Sequence, residues 1–170
     1  MFTTWTSIIH LSTQDIYSGT LLVVHIMDKG KKMKNAISVL PGAVSIQAVY
    51  ERVLKGKGAD FVCLSTGYSA VIGEWYDKVF EDKLFGSKVA TREVVADTEG
   101  NRSYGQKKDG VKNQARYLTD SAESDLVLGD DFMAIISFNP HSPYTVVIED
   151  QSIVSSAKVW FEAIWASAAR

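Results

Sequence analysis

The sequence predicts an α/β fold: a mixed sheet flanked by helices, β-α-β-α-β at first, then a hairpin-rich second half and a C-terminal amphipathic helix. Three observations lead there. Residues 36–97 alternate short apolar runs with two helical stripes, the pattern of βαβ units and a largely parallel sheet. Residues 114–148 change to closely spaced strands punctuated by Gly-Asp and Pro turns. The chain then ends on a helical stripe that holds Trp160, Phe161 and Trp165.

The first 35 residues stand apart. They open rich in Ser and Thr, pass through the apolar run Leu21–Ile26, and end in the bases Lys29, Lys31, Lys32 and Lys34. No period of two or 3.6 runs through them. Residues 1–35 are therefore expected to be an irregular extension, an artefactual start or a linker remnant, ahead of a domain at 36–170. Met27 and Met33 are alternative starts, and Leu21–Ile26 fits an edge strand or a short helix. The lysines read as a solvated face, with nucleic-acid contact as the functional alternative.

From Ala36 the signals sharpen. Ala36–Leu40 reads as a strand stopped by Pro41-Gly42, and Ile46, Val49, Tyr50, Val53 and Leu54 form the one-sided stripe of a helix. Lys55 and Gly56 supply its C-terminal stop. Asp60–Ser65 is continuously apolar at its centre, as in a strand buried on both faces. Thr66-Gly67 turns the chain and Ser69 is a candidate N-cap. A helix carrying Ile72, Trp75, Tyr76, Val79 and Phe80 follows, ending near Leu84, and Val89–Asp97 is the next strand.

Thr98–Asn113 is the most polar part, with Gly100, Gly105, Gly110 and the bases Arg102, Lys107, Lys108 and Lys112. It reads as an exposed mobile loop, with a lid or anion-binding loop as the functional alternative. Gln114–Leu118 is a strand, and Leu126–Leu128 and Phe132–Phe138 flank the turn Gly129-Asp130-Asp131 as a hairpin. Tyr144–Ile148 is reached through a turn with two prolines. Asp150 caps the last helix, whose apolar positions are Ile153, Ala157, Trp160, Phe161, Ile164, Trp165 and Ala168.

Composition narrows the function. With 46% hydrophobic and 22% charged residues the chain is ordinary globular material. A net charge of −2 gives no overall electrostatic reason to hold nucleic acid. The single cysteine, Cys63, excludes an intramolecular disulfide and multi-cysteine metal sites, and reads as a buried structural thiol in a reducing cytoplasm. Leu21–Ile26 falls far short of the roughly 20 residues that span a bilayer. Neither a membrane segment nor an export signal is expected.

The three histidines, His10, His25 and His141, have no metal-ligand spacing, so no metal or cofactor is expected. Walker, G-x-S-x-G and G-x-G-x-x-G motifs are missing. Ser65-Thr66-Gly67 lies between a strand and a helix, where α/β sheets bind anions, although a plain turn explains it as well. Asp130-Asp131 and Glu149-Asp150 read as turn and capping residues. Core packing explains the aromatic stripes, and their surplus would form a homodimer face.

In this order of elements the chain resembles the C-terminal sensor domain of TrmB-family transcriptional regulators, a domain similar to one half of the phospholipase-D fold. The resemblance rests on Pro41-Gly42-Ala43-Val44-Ser45-Ile46, Phe61–Ser65, Arg116-Tyr117-Leu118, Gly129–Ser137, Thr145–Asp150 and the close Val159–Trp165. It covers residues 36–168, and the closing strand, acidic turn and aromatic helix are its most specific part. Family members resemble a winged helix joined to this domain. The 35 residues before the match are too few for one, since domains start at about 50 residues. The chain is thus expected to be stand-alone or truncated, without direct DNA binding of its own. The H-x-K signature of phospholipase-D enzymes is missing too: Ser12, Met27 and Pro143 stand two residues after the histidines. No phosphohistidine nucleophile is expected.

The resemblance implies a non-enzymatic, cytoplasmic domain that senses a small-molecule effector or dimerises, as a homodimer or with a full-length regulator. A phosphodiesterase-type hydrolase on a phospholipase-D-like scaffold is the alternative. The expected ligand residues, at strand ends, are Ser65, Thr66, Arg92, Arg116 and Ser137. The two arginines are included because a lone charge in a strand needs a partner or an anion.

Overall fold

A computed structural model of the chain describes residues 36–170 in full and, before them, only the backbone of three strands. These are β1 (Ile9–Ile16), β2 (Gly19–Asp28) and the short β3 (Lys31–Lys32). From Ala36 on, seven strands form a mixed sheet in the order β4-β10-β9-β8-β5-β6-β7. They are β4 (Ile37–Pro41), β5 (Gly58–Cys63), β6 (Ala90–Ala96), β7 (Asn113–Leu118), β8 (Ser124–Leu128), β9 (Met133–Ser137) and β10 (Tyr144–Ile148). The β1–β2 hairpin extends the sheet past β4. Leu21–Ile26 is therefore strand rather than helix, and it is paired on both sides instead of lying at an edge. The side chains of residues 1–35, and with them the expected basic face, lie outside the described residues.

The parallel part is β5-β6-β7: the β5–β6 pairing is what the alternating pattern predicts, and β7 joins it through the unexpected helix at 99–106. β4 does not join it. It pairs antiparallel with β10 at the far side, Val39 opposite Val146, so β8, β9 and β10 intervene between β4 and β5. The hairpin β8–β9 closes through Gly129–Phe132, with Gly129 N donating to Phe132 O at 2.9 Å. Its Asp130 accepts from Lys57 N (2.9 Å), and Asp131 pairs with Arg52 (2.9 Å). Arg52 also reaches Glu149 (2.8 Å), so turn carboxylates from two corners converge on one guanidinium.

Successive strand residues face opposite sides of the sheet, and each side carries its own core. On one, α1 (Ala43–Val53) buries Ile46, Val49, Tyr50 and Val53 against Phe61, Val127, Ala134 and Ile136. Gly42 starts it at φ +83°, a left-handed conformation that suits glycine, with its N–H bonded to Pro143 O at 2.7 Å. On the other side α6 (Gln151–Ser167) buries Val154, Ala157, Phe161, Trp165 and the following Ala168 against Val94, Leu128, Met133 and Ile148. Asp150 caps it as expected, accepting from Ser152 N (2.9 Å) and Ile153 N (3.1 Å).

Three sequence expectations need correction. The helix expected from Ser69 to Leu84 is broken into α2 (Tyr68–Val71), α3 (Gly73–Trp75), a π-helical turn at Tyr76–Phe80 and α4 (Glu81–Gly86). Its cap position is Gly67, not Ser69. The wide turn brings Tyr76 and Phe80 together with Tyr50, ring centroids 5.5 and 4.8 Å away. Second, the expected loop at 98–113 contains a helix, α5 (Glu99–Gln106), capped by Thr98, whose hydroxyl accepts from Asn101 N at 3.2 Å. Its glycines hide it from a propensity reading. Gly105 is needed because the Tyr117 hydroxyl occupies the space a Cβ would take.

Third, Trp160 is not on the buried stripe. It is 58% exposed, whereas Phe161 is fully buried. The stripe runs through Val154, Ala157, Phe161 and Trp165, so Trp160 points about 100° away from it. Phe161→Ala should therefore cost about 3–5 kcal/mol in urea unfolding, and Trp160→Ala no more than about 0.5 kcal/mol. Equal losses would contradict this placement.

Candidate functional site

At the C-terminal ends of β5 and β6 the chain leaves the sheet into Leu64-Ser65-Thr66 and into α5. β8 runs antiparallel beside β5, with Leu126 opposite Val62, which brings Asp125 to the same edge. Between α5 and the broken α2–α4 stretch lies a cleft of about 420 Å³. Tyr50, Cys63, Glu93 and Val95 line it along with Ser65 and Asp125, and Tyr76, Glu81, Tyr104 and Lys107 lie on its helical walls. Open sheets of this class bind ligands at such strand ends.

Charge is unevenly settled around the cleft. Glu93 and Lys108 form an ion pair with side chains only 4% and 1% exposed. Lys108 Nζ also lies 3.2 Å from the Tyr104 hydroxyl, which is 3.1 Å from that of Tyr76. Burial raises the pKa of both phenols. Lys107 pairs with Glu81 at 2.8 Å. Two cations are thus used by two carboxylates.

Asp125 has no such partner among the described residues. Its side chain is buried, and the Ser65 N–H donates to Oδ1 at 3.0 Å. Burial, opposed by that hydrogen bond, pushes the carboxyl up to about 6. The Ser65 hydroxyl is near enough to lower that value, yet it makes no hydrogen bond of ordinary geometry. Ser65 Oγ is buried and unsatisfied, an arrangement that normally costs stability. Cys63, half-buried, has its thiol pushed well up by burial and then by Asp125 and Glu93, which suppresses the thiolate.

The five residues expected from sequence separate into two groups. Ser65, Thr66 and Ser137 come together around a second hollow of about 290 Å³ with Phe138 and Asn139. Ser65 and Thr66 also line the main cleft. Arg92 and Arg116 are elsewhere, on the sheet face that α6 covers. Arg92 pairs with Asp60 (2.8 Å) and Glu162 (2.8 Å) and lies 4.8 Å from the Phe161 ring. Arg116 donates to Trp165 O and lies over the Trp165 ring at 4.3 Å. Both arginines find their partners within the protein.

Sequence reasoning missed Glu93, Asp125, Tyr76, Tyr104 and Lys108. One signal was present: a strand buried on both faces with adjacent charges, Arg92-Glu93, must send one to each side. No group of three metal-ligating side chains occurs among the described residues.

The settlement of Asp125 has a definite pH signature. Its folded pKa of about 6 exceeds the reference 3.8, so its contribution is complete below the unfolded value and is lost as pH rises through about 6. That gap amounts to roughly 3 kcal/mol. Asp125→Asn, which keeps an acceptor for Ser65 N, should be more stable than wild type at pH 8 by up to that amount. The advantage should vanish near pH 4 in paired urea titrations. A variant less stable than wild type at pH 8 would refute the unpaired carboxylate.

No family profile matches the chain, and no curated protein matches it in sequence. Among solved structures it is similar to TrmBL2, an archaeal chromatin protein whose structure shows a novel mode of DNA binding. The TM-score is 0.57 at 17% identity, over 83% of this chain and 56% of that one. It is also similar to NucT from Helicobacter pylori, with a TM-score of 0.60, 8% identity, and coverage of 78% and 97%. A third likeness is Nuc from Salmonella typhimurium, a phospholipase D family member, with a TM-score of 0.51, 12% identity, and coverage of 78% and 95%. The chain thus spans little more than half the length of the archaeal protein and almost all of the two phospholipase-D-like ones. At these identities the likeness is one of fold, and the fold is phospholipase-D-like.

Proposed function

We propose that this chain is a non-enzymatic, cytoplasmic small-molecule-sensing domain of a TrmB-like transcriptional regulator, acting alone or beside a full-length partner. The observation that carries this reading is Ser65, whose buried hydroxyl lacks a partner on the wall of a cleft beside an unpaired Asp125. Unsatisfied polar groups of this kind are what a ligand satisfies. The structural likeness to TrmBL2 supports a regulator-like module, and the missing H-x-K signature argues against phospholipase-D chemistry. DNA contact is assigned to other chains or segments, and exposed Trp160 and Val159 on α6 suit pairing with a second subunit.

The second reading is a phosphodiesterase with a reshaped site. Ser65 beside Asp125 favours it, as a hydroxyl near a carboxyl poised close to neutrality. Against it, phosphoryl transfer needs positive charge on the phosphate oxygens, and Lys107 and Lys108 are already engaged by Glu81 and Glu93.

A thermal-shift panel of neutral, anionic and cationic metabolites, run beside a bis(p-nitrophenyl) phosphate assay, separates the two. Sensing predicts stabilisation by one ligand class, lost in Ser65→Ala, and no hydrolysis above buffer. Hydrolysis abolished by Ser65→Ala or Asp125→Asn would establish the second reading. Silence in both assays would defeat both readings.

A further inference from the structure

We infer that the ligand of this cleft is an organic cation, a primary amine on a small apolar or aromatic body, held by Asp125, Ser65 and the surrounding tyrosines. The inference rests on the sensing reading and specifies the ligand class of that same site.

The first argument is charge. Carboxylates around the cleft are Asp77, Glu81, Glu93 and Asp125, while the cations are Lys107 in the lining and Lys108 behind Glu93. Glu81 and Glu93 take the two lysines. Asp77 and Asp125 remain, so the space left for a ligand is negative. An anion entering it would meet repulsion with no free lysine or arginine among the described residues of its lining to offset the cost of desolvation. The arginines that would suit an anion, Arg92 and Arg116, are spent on the opposite sheet face.

Hydrogen-bond capacity gives the second argument. Asp125 is acceptor-only when ionised. Its one well-formed hydrogen bond comes from Ser65 N at 3.0 Å, while the Leu64 N–H, the Cys63 thiol and the Ser65 hydroxyl stand near enough to favour its charged form without neutralising it. Ser65 Oγ is more than nine-tenths buried and offers two lone pairs with no partner. An ammonium carries three donors and no acceptor, so its needs match what these two residues leave open. Its charge would also supply the counterion that Asp125 lacks, at a carboxyl that burial alone holds near neutrality.

Third, the body of such a ligand has a surface to lie on. Tyr50, Tyr68, Tyr76 and Tyr104 all line the cleft. Their ring faces attract a cation and accept apolar carbon equally well. A cleft of about 420 Å³ suits a small molecule rather than a polymer.

The test is an isosteric series in calorimetry with the full chain: phenethylamine, 2-phenylethanol and phenylacetate, with putrescine, glucose and inorganic phosphate alongside. Phenethylamine should bind at least about tenfold tighter than 2-phenylethanol, with phenylacetate and phosphate silent, since one charge-assisted hydrogen bond is worth about that factor. Asp125→Asn, which should fold at least as well as wild type, should lose about tenfold or more for the amine and clearly less for the alcohol, which carries no charge for the carboxylate to pair with. Ser65→Ala provides a second, milder reduction. Tighter binding of phenylacetate, glucose or phosphate that depends on Ser65 would overturn the amine and leave the sensing reading standing. Amine binding indifferent to both substitutions would overturn the assignment to this cleft. Silence of every compound would defeat both.

Discussion

A buried strand carboxylate with no cation among the described residues is the constraint on which the cleft depends. Asp125 is the second residue of β8, the strand that joins the antiparallel half of the sheet to the parallel half. Its position is fixed by the register of β8 against β5, and its one firm bond comes from Ser65 N in the chain's exit loop. Because no lysine or arginine among the described residues pairs with it, its charge is expensive. Folded proteins rarely keep such a cost unless something offsets it or function uses it.

The opposite sheet face shows what full settlement looks like. Arg92 holds two carboxylates and lies over two aromatic faces, and its hydrogen bonds to Asp60 and Glu162 raise its pKa further. Arg116 caps the carbonyl of Trp165, and Ala169 exchanges two backbone hydrogen bonds with Tyr117 at the β7 edge. On that face both arginines have their charge met by the protein and help to hold α6. The cleft face keeps an unpartnered hydroxyl, an unpaired carboxyl and a helix interrupted by a π-turn. Interruptions of this kind concentrate at functional sites, and here the turn contributes Tyr76 to the cleft wall.

Much of the architecture was legible because it is written in periodicity. The stripe Ile46–Leu54, the Gly129-Asp130-Asp131 turn and the Asp150 cap occupy the expected structural roles, and the strand expected at Asp60–Ser65 runs two residues earlier, Gly58–Cys63. Topology was less legible. β4 follows the βαβ rhythm in sequence yet pairs with β10, a long-range choice that no local pattern records. α5 was hidden because it has no apolar stripe and packs through Gly105 under Tyr117, so its glycines mark close contact rather than a loop. Of the site, Ser65 and Thr66 were found from their place after a strand. Arg92 was singled out for its charge, while Glu93, pointing to the other face, is the one that borders the cleft. Pairings such as Glu93 with Lys108 depend on α5 existing, and that could not be read from the stretch's composition.

Asp125 sits in the cleft without a counterion among the described residues, and its own titration reports this. A side-chain carboxyl carbon NMR titration of the ligand-free protein, assigned through Asp125→Asn, should give a midpoint near 6. A midpoint at or below the ordinary aspartate value of 3.8 would mean that a cation or solvent already satisfies the group, and would contradict the account.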